Sequence, residues 1–295
     1  MGAMPRKTYG YRTFEAFNYG FLSVLSLLCI LPLVHIFAVS LSSRSAATGG
    51  LVTLWPIDFT TAAYMETLGN AKFANALLIG IERTALGTAV SMAVITLAAY
   101  SLSKSSRAFP GRGAYAWYLV FTMLFNGGLV PTYFIVSQTH LTNSIWALVI
   151  PGAVNVWNLI LMINFFRSIP SEMEEAAVMD GAGHLPILLR VFLPLSAPVI
   201  ATLSLFTMVA HWNSFFDGII YLTKPDQYPL STFLHTIIVQ ENFNNTGISQ
   251  EKLANLSNRT VKASQIFISA IPVLLVYPFL QKYFVKGIMI GSVKE

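Results

Sequence analysis

Polar and aromatic side chains standing within long apolar runs are the residues of this sequence that offer chemistry. The candidate set is Asn126, Asn155, Asn158, Trp212, Asn213, Phe216 and Asp217. In the cluster of Trp212 and Asn213 with Phe216, an aromatic face suits the apolar face of a sugar ring and an amide suits its hydroxyl groups. Polar residues within apolar helices tend to face a bundle interior or an aqueous cavity. The set therefore predicts a polar path, with hydrogen bonds between helices as the alternative for each single asparagine.

A second stretch of interest is rich in glutamate, alanine and glycine. The pattern from Ser171 to Glu174 fits a capping box, in which the serine hydroxyl and the glutamate satisfy each other's backbone amides, so a helix is predicted to begin at Ser171. Gly181 can adopt the left-handed conformation that ends a helix. Pro186 then predicts the start of a second short helix that ends before Pro194. Taken by themselves, these residues describe either a docking element for another protein or an amphipathic surface helix.

The motifs of common enzymes are absent from the sequence. It holds no GxxxxGK[ST] phosphate loop, no HExxH and no GxSxG, so neither nucleotide hydrolysis nor a recognisable hydrolase is indicated. The single cysteine, Cys29, lies in an apolar run, which excludes an intramolecular disulfide and a cysteine metal cluster. The basic residues form no patch interleaved with aromatic residues, so nucleic acid is not an expected partner.

The elements that position these residues follow from composition. The chain of 295 residues is 55% hydrophobic and 11% charged, whereas soluble domains carry about 25% charged residues. All charges avoid five stretches, namely 16–43, 84–103, 113–166, 191–216 and 263–281. A helix crosses the bilayer with about 20 apolar residues, so the stretch 113–166 is long enough for two crossings. Continuous apolar runs without alternation favour helices over barrel strands.

The sequence thus predicts an all-α integral membrane protein with one domain, 1–295, and six spans. The predicted spans are 16–41, 76–103, 114–137, 143–166, 194–222 and 262–284. Two segments on one side are long, 42–72 and 223–261, and one on the opposite side, 167–193, carries the glutamate and alanine stretch.

The distribution of basic residues predicts the orientation of these spans. With six spans, eleven lysines and arginines share the side of the termini and five lie on the other side. The eleven are Arg6, Lys7, Arg12, Lys104, Arg107, Arg112, Arg167, Arg190, Lys282, Lys286 and Lys294. Since such an excess marks the cytoplasmic face, both termini are predicted to be cytoplasmic. Glu82 and Arg83 are expected at the outer interface, with side chains reaching toward water.

The segment between the predicted fourth and fifth spans resembles the EAA loop of ABC-importer membrane subunits. The residues that carry the resemblance are Glu175, Ala176, Ala177, Asp180, Gly181, Ala182, Leu193 and Pro194. The chain as a whole resembles the carbohydrate, or maltose-type, branch of these permeases. The segment 125–133, the pair Trp212-Asn213 and the tail 287–294 favour the subgroup for polysaccharides and complex oligosaccharides, which includes permeases of alginate import.

This resemblance implies a type I ABC importer permease fold with the cytoplasmic coupling helix between spans four and five. It implies a non-catalytic, multi-pass subunit of the bacterial cytoplasmic (inner) membrane that binds no cofactor itself. ATP and Mg would be held by two partner ATPase subunits, whose motion the 175–182 helix would receive. A second homologous permease subunit, giving a heterodimer, an extracytoplasmic solute-binding protein, membrane lipid and a carbohydrate substrate are the other implied partners.

Two functions of other classes remain open from the residues. An ion-driven secondary transporter would require acids in the membrane, for which Asp217 and Glu82 are the nearest candidates. A membrane-embedded enzyme would require a catalytic constellation within the spans. An acidic polymer would favour cationic groups along the path, and the charge-free stretches supply almost none, so a partner subunit supplies them or the substrate is neutral.

Overall fold

The computed structural model describes residues 9–244 and 259–292, and every regular element in these ranges is helical. Backbone contacts divide the chain into two compact units, one of residues 1–70 with 242–270 and one of residues 71–241 with 271–295. Part of the predicted outer segment 223–261 and the last residues of the tail, 293–295, lie outside the described residues.

The first unit contains the N-terminal helix and the segment that follows it. Its helices are α1 (Tyr9–Ser40), α2 (Arg44–Thr48), α3 (Ala62–Gly69) and the first part of α15 (Arg259–Ser292). Ser43 caps α2 by accepting a hydrogen bond from the Ala46 amide. A buried hydrogen bond of 2.6 Å joins the hydroxyl groups of Thr67 and Ser264. Helix α3 is therefore packed against the start of α15.

The second unit is built around one long helix, α4 (Ala71–Ser103), which packs mainly against α12 and α8. The other helices of this unit are α5 (Arg112–Leu124), α6 (Leu129–Gln138), α7 (Trp146–Val149), α8 (Val156–Ser168), α9 (Ser171–Met179), α10 (His184–Ile187), α11 (Leu193–Leu195), α12 (Ala197–Asn213), α13 (Phe216–Tyr221) and α14 (Leu230–Asn244). A π-helical turn, Leu188–Phe192, joins α10 to α11, and a 3₁₀ turn, Pro225–Gln227, precedes α14. The core contains side chains of α4, α8 and α12, with Ile95, Met162 and Leu203 almost fully buried.

Three helical segments are long and apolar enough to cross a membrane, Tyr9–Ser40, Ala71–Ser103 and Arg259–Val276. Two pairs of helices pass the same test only when each pair is taken together, and they are bent at their breaks by 119° (α5 with α6) and 83° (α10 and α11 with α12). The described residues thus supply three to five candidate spans. The predicted fourth span, 143–166, is not one continuous helix, because the backbone between α7 and α8 is irregular over residues 150–155.

Glycine and proline account for these breaks. Gly128 has φ of 89°, and its amide donates to the Asn126 side-chain oxygen, a turn that interrupts the helix between α5 and α6. Pro151 and Gly152 lie in the irregular segment between α7 and α8. A second short helix follows the glycine turn as predicted, but its predicted bounds are wrong. It begins at His184, and helical structure continues through the π turn past Pro194, which stands in the first turn of α11, where a proline is tolerated.

Candidate functional site

The glutamate and alanine stretch forms helix α9 with a Schellman motif at its end. Asp180 is the C-cap, and Gly181 follows with φ of 78°. The Ala182 amide donates to the Ala177 carbonyl at 3.0 Å, and the Gly181 amide donates to the Val178 carbonyl at 2.9 Å. This pair of bonds defines the motif, which satisfies carbonyl groups that would otherwise be left free at the helix end. The sequence-based prediction that α9 ends at Gly181 is confirmed.

The alanines of this stretch face in two directions. Ala177 and Ala182 pack against the core of the second unit, next to the motif that joins them. Glu175, Ala176 and Asp180 are exposed. The small inward side chains bring the helix end close to the bundle, while the outward residues remain available to another molecule.

The outward surface of α9 is apolar as well as acidic. Met173, Val178 and Met179 expose 46%, 54% and 86% of their surface. Leu185, just beyond the glycine turn, exposes 59%. Large apolar side chains gathered at one exposed turn are typical of an interaction surface.

The predicted capping box is wrong. Pro170 occupies the N-cap position, so Ser171 is already inside the helix and its hydroxyl makes no capping bond. Glu174 instead forms an ion pair of 2.5 Å with Lys104 at the end of α4. The Lys104 ammonium also lies 3.8 Å from the centre of the Tyr100 ring, a distance at which cation–π attraction operates. The start of α9 is therefore held by a neighbouring helix rather than by its own first turn.

A cleft of about 760 Å³ opens beside this ion pair, between the end of α4 and α9. Glu175, Val178 and Met179 line it together with Lys104 and Arg167. Leu193 and Pro194 lie beyond the π turn and do not line this cleft. Of the predicted coupling residues, the structure brings together those from Glu175 to Ala182.

Replacing Glu174 with glutamine is expected to increase amide hydrogen exchange in α9 by about fivefold, because loss of a partly buried ion pair costs about 1 kcal/mol. Glu172 provides a matched control, since it stands in the same first turn but is exposed. Hydrogen exchange followed by mass spectrometry compares the two variants. Equal exchange in Glu174→Gln and Glu172→Gln would contradict a role of Lys104 in holding this helix.

A second candidate site is a cavity of about 570 Å³ between helices of the second unit, called the central cavity below. Its walls are formed by α4, α7, α8, α12 and α13 and by the irregular segment 150–155. The polar and aromatic residues that line it are Arg83, Ser91, Asn155, Trp157, Asn158, Phe206, Thr207, His211, Ser214, Asp217 and Tyr221.

Arg83 is the most deeply placed charge in this cavity. Only 1% of its surface is exposed, and it forms an ion pair with Asp217. The guanidinium also donates to the Ser214 carbonyl at 2.7 Å, at the end of α12. The Asp217 carboxylate accepts further hydrogen bonds from the Ser214 hydroxyl and the Gly218 amide, both of 2.9 Å. The expectation that Arg83 reaches toward water is therefore wrong, whereas the neighbouring Glu82 is exposed.

The predicted path residues separate into two groups. Asn155, Asn158 and Asp217 line the cavity. Asn155 caps α8 by accepting a hydrogen bond from the Asn158 amide, and the Asn158 side chain donates to the Thr207 hydroxyl at 3.3 Å. Two asparagines that stand three residues apart thus fix the start of one helix and its contact with α12.

The remaining predicted path residues lie elsewhere. Asn126 is exposed in the turn between α5 and α6, and Asn213 and Phe216 are exposed near the junction of α12 and α13. Trp212 lines a separate apolar cavity of about 190 Å³ with Pro272. The structure does not bring these four residues to the central cavity.

The burial of Arg83 was not predicted from the sequence, although the spacing of small residues around it indicates a buried position. Gly80 and Gly87 stand three and four residues from it on the same helix face, and both are buried. Small residues at this spacing let another helix approach closely. A charge on such a face is enclosed, so the spacing of glycines around a lone arginine is the pattern that predicts a buried ion pair.

Comparison with known proteins agrees with these features. Residues 101–290 match the family model for "Binding-protein-dependent transport system inner membrane component". The chain is 39% identical over 284 residues to the polygalacturonan/rhamnogalacturonan transport system permease protein YtcP of Bacillus subtilis, covering 96% of this chain and 99% of that protein. It is 27% identical over 286 residues to the maltodextrin transport system permease protein MdxG of the same organism, covering 94% and 95%.

A solved structure extends the comparison to the fold. It is a crystal structure of a bacterial ABC transporter involved in the import of the acidic polysaccharide alginate, and one chain in it is 34% identical to this protein. The match has a TM-score of 0.85 and covers 95% of this chain and 100% of the other. The all-helical fold is thus that of a type I importer permease, a non-catalytic membrane subunit. This chain belongs to the family of binding-protein-dependent transport system inner membrane components.

Proposed function

We propose that this protein is a permease subunit of a binding-protein-dependent ABC importer that carries an oligosaccharide or polysaccharide across the bacterial cytoplasmic membrane. The family match and the permease relatives named for polygalacturonan and maltodextrin support this function. The proposal includes one domain of six spans with both termini in the cytoplasm, for which the asymmetry of basic residues is the support.

Energy is proposed to enter through the coupling residues of α9 and the turn after it. The observation that carries this proposal is a short helix fixed to the bundle at both ends, by Lys104 and Glu174 at its start and by the Schellman motif at Gly181. Such a helix moves as a rigid body when a partner pushes it. Its exposed Met173, Val178 and Met179 are the contact surface offered to the ATPase subunit.

The coupling residues are proposed to have distinct roles. Glu175 and Asp180 are exposed and offer their charges to basic groups of the ATPase. Ala176 permits close approach because it is small and exposed, while Ala177, Gly181 and Ala182 form the turn. Leu193 and Pro194 transmit the movement into α12, with which α11 is in contact.

The proposed assembly contains three kinds of protein partner. A second homologous permease subunit completes the membrane part, two ATPase subunits bind ATP and Mg, and an extracytoplasmic solute-binding protein delivers the substrate. The central cavity with Asn155, Asn158 and Asp217 is the proposed segment of the path within this chain. Asn126, Trp212, Asn213 and Phe216 would contact substrate or the second permease at other points of the path.

Gly181 offers the sharpest test of the coupling role. Gly181→Val is expected to abolish most of the ATP hydrolysis that loaded binding protein stimulates, because a side chain in the left-handed conformation costs about 1–2 kcal/mol and a branched one more. Gly183 is a matched control two residues away, with φ of −77° and nothing within 4 Å of an added Cβ. The measurement is stimulated ATP hydrolysis by the complex purified from the host and reconstituted in lipid.

The same preparation tests the charge of α9. Glu175→Lys is expected to lower stimulated hydrolysis at least about tenfold while leaving thermal unfolding of the isolated chain unchanged, since Glu175 is exposed. Full stimulation in both Gly181→Val and Glu175→Lys would count against the proposed coupling.

A further inference from the structure

The formal charges of the side chains that line the central cavity sum to zero. With histidine counted as neutral, Arg83 and Asp217 are the formally charged residues among the lining side chains, and they pair with each other. The Arg83 side chain is 2% exposed and that of Asp217 is 25% exposed, so the acid is the member of the pair that faces the open space. The other polar groups of the wall are amides, hydroxyls and one imidazole.

Two buried donors in this wall have no hydrogen-bond partner within the described part of the chain. They are Nε of Arg83 and the hydroxyl of Ser91, and each residue is only 1% exposed. A buried polar group that lacks a partner costs about 1–3 kcal/mol. Both residues line the same cavity, so its wall carries hydrogen-bonding capacity that the described part of the chain does not use.

Aromatic surface lies in the same wall. Trp157, Phe206 and Tyr221 line the cavity together with the unpartnered donors. A sugar ring has an apolar face formed by its C–H groups and an edge of hydroxyl groups, which matches aromatic rings beside hydrogen-bond donors. The volume of about 570 Å³ falls within the range of small-molecule sites.

We propose that Asp217 is a specificity-determining residue that makes this cavity select an uncharged, hydroxyl-bearing sugar ring over a carboxylate-bearing one. By cancelling the charge of Arg83, Asp217 leaves the cavity without the net positive charge that would bind an anion. A second carboxylate in the cavity would face the Asp217 charge in a partly desolvated space, where like charges repel strongly. An acidic polymer therefore places its carboxylates outside this cavity.

This inference rests on the proposed function and deepens it by naming the substrate class of the path. The test uses the full chain in lipid nanodiscs and two probes, galactotriose and trigalacturonate, which differ in the group at C6 of each ring. Saturation-transfer NMR measures the affinity of each probe. The native protein is expected to bind the neutral trimer at least about tenfold more tightly than the acidic one.

Two variants that change the net charge of the cavity test its preference for the neutral trimer. Asp217→Asn leaves a net positive cavity and is expected to shift the affinity ratio toward the acidic trimer by about tenfold. The double variant Arg83→Gln/Asp217→Asn is neutral again, and its ratio is expected to return to that of the native protein. The asparagine oxygen can still accept the hydrogen bonds from the Ser214 hydroxyl and the Gly218 amide. The double variant leaves no buried charge unpaired, so it also controls for destabilisation in Asp217→Asn.

Three outcomes would overturn the inference. They are a native preference for the acidic trimer, an unchanged ratio in Asp217→Asn, and the absence of binding of both probes. The coupling experiment at Gly181 measures ATP hydrolysis and does not depend on the ratio of the two probe affinities. If stimulation is lost there while the ratio is insensitive to Asp217, the importer function stands and the specificity role fails. The opposite pair of results leaves a sugar site without the proposed energy coupling.

Discussion

Replacing Arg83 with leucine is expected to lower the free energy of unfolding by about 3 kcal/mol, the lower end of the cost of breaking a buried ion pair. The lower end applies because a quarter of the Asp217 side chain remains exposed. The substitution leaves the carboxylate without its counter-ion and removes the hydrogen bond to the Ser214 carbonyl. Unfolding of the purified chain in detergent, followed by tryptophan fluorescence, measures the loss.

Arg44 supplies a matched control for this substitution. It also forms an ion pair, with Glu66 at 2.5 Å, but the two side chains are 56% and 48% exposed. Exposed pairs contribute about 0–1 kcal/mol because water screens them. Arg44→Leu is therefore expected to change stability little, and equal losses in the two variants would refute the structural importance of the Arg83 pair.

Gly87→Ala is expected to destabilise the second unit by about 1–3 kcal/mol, the usual cost of overpacking a close contact. An added Cβ would lie 2.6 Å from two atoms of the His211 ring on α12. His211 is only 8% exposed, so its ring has little room to move away. The thermal unfolding midpoint of the purified chain measures this effect.

Gly20 serves as the control for this prediction, since it lies in the long helix α1 with nothing within 4 Å of an added Cβ. Gly20→Ala is expected to be neutral or to stabilise the helix by up to about 1 kcal/mol, because alanine has the higher helix propensity. A second substitution, His211→Ala, should recover part of the loss in Gly87→Ala. If Gly87→Ala and Gly20→Ala behave alike, the close approach of α4 and α12 is not as described.

Much of the helical architecture could be predicted from hydropathy. The charge-free stretches predict helices, and α1, α4 and the start of α15 are long enough to cross a bilayer by length and composition. Where a predicted span contains glycine with proline, as at Gly128 and Pro131, it bends sharply or breaks. Hydropathy counts apolar residues and is insensitive to such breaks, so the charge-free stretch predicts the length of the span 143–166 but not the irregular backbone over residues 150–155.

The glutamate and alanine stretch that forms α9 shows which features a local sequence pattern predicts and which it does not. The end of α9 at Gly181 was predictable, because a left-handed residue after a helix depends on backbone sterics alone. The start of α9 at Ser171 was also predicted correctly, but the contact that holds it was not. Glu174 pairs with Lys104, which stands 70 residues earlier in the chain, instead of closing a capping box with Ser171.

The sequence by itself determined that this is a helical membrane protein and predicted which segment couples it to an ATPase, since apolar runs and short motifs act over neighbouring residues. Only the tertiary structure decided that Arg83 is buried against Asp217, a residue 134 positions away. The physical reason is that burial and charge pairing depend on which helix faces meet, and close packing at Gly87 and Gly218 determines how closely they meet. A charge beside an apolar run has the same local sequence whether it faces water or a counter-ion.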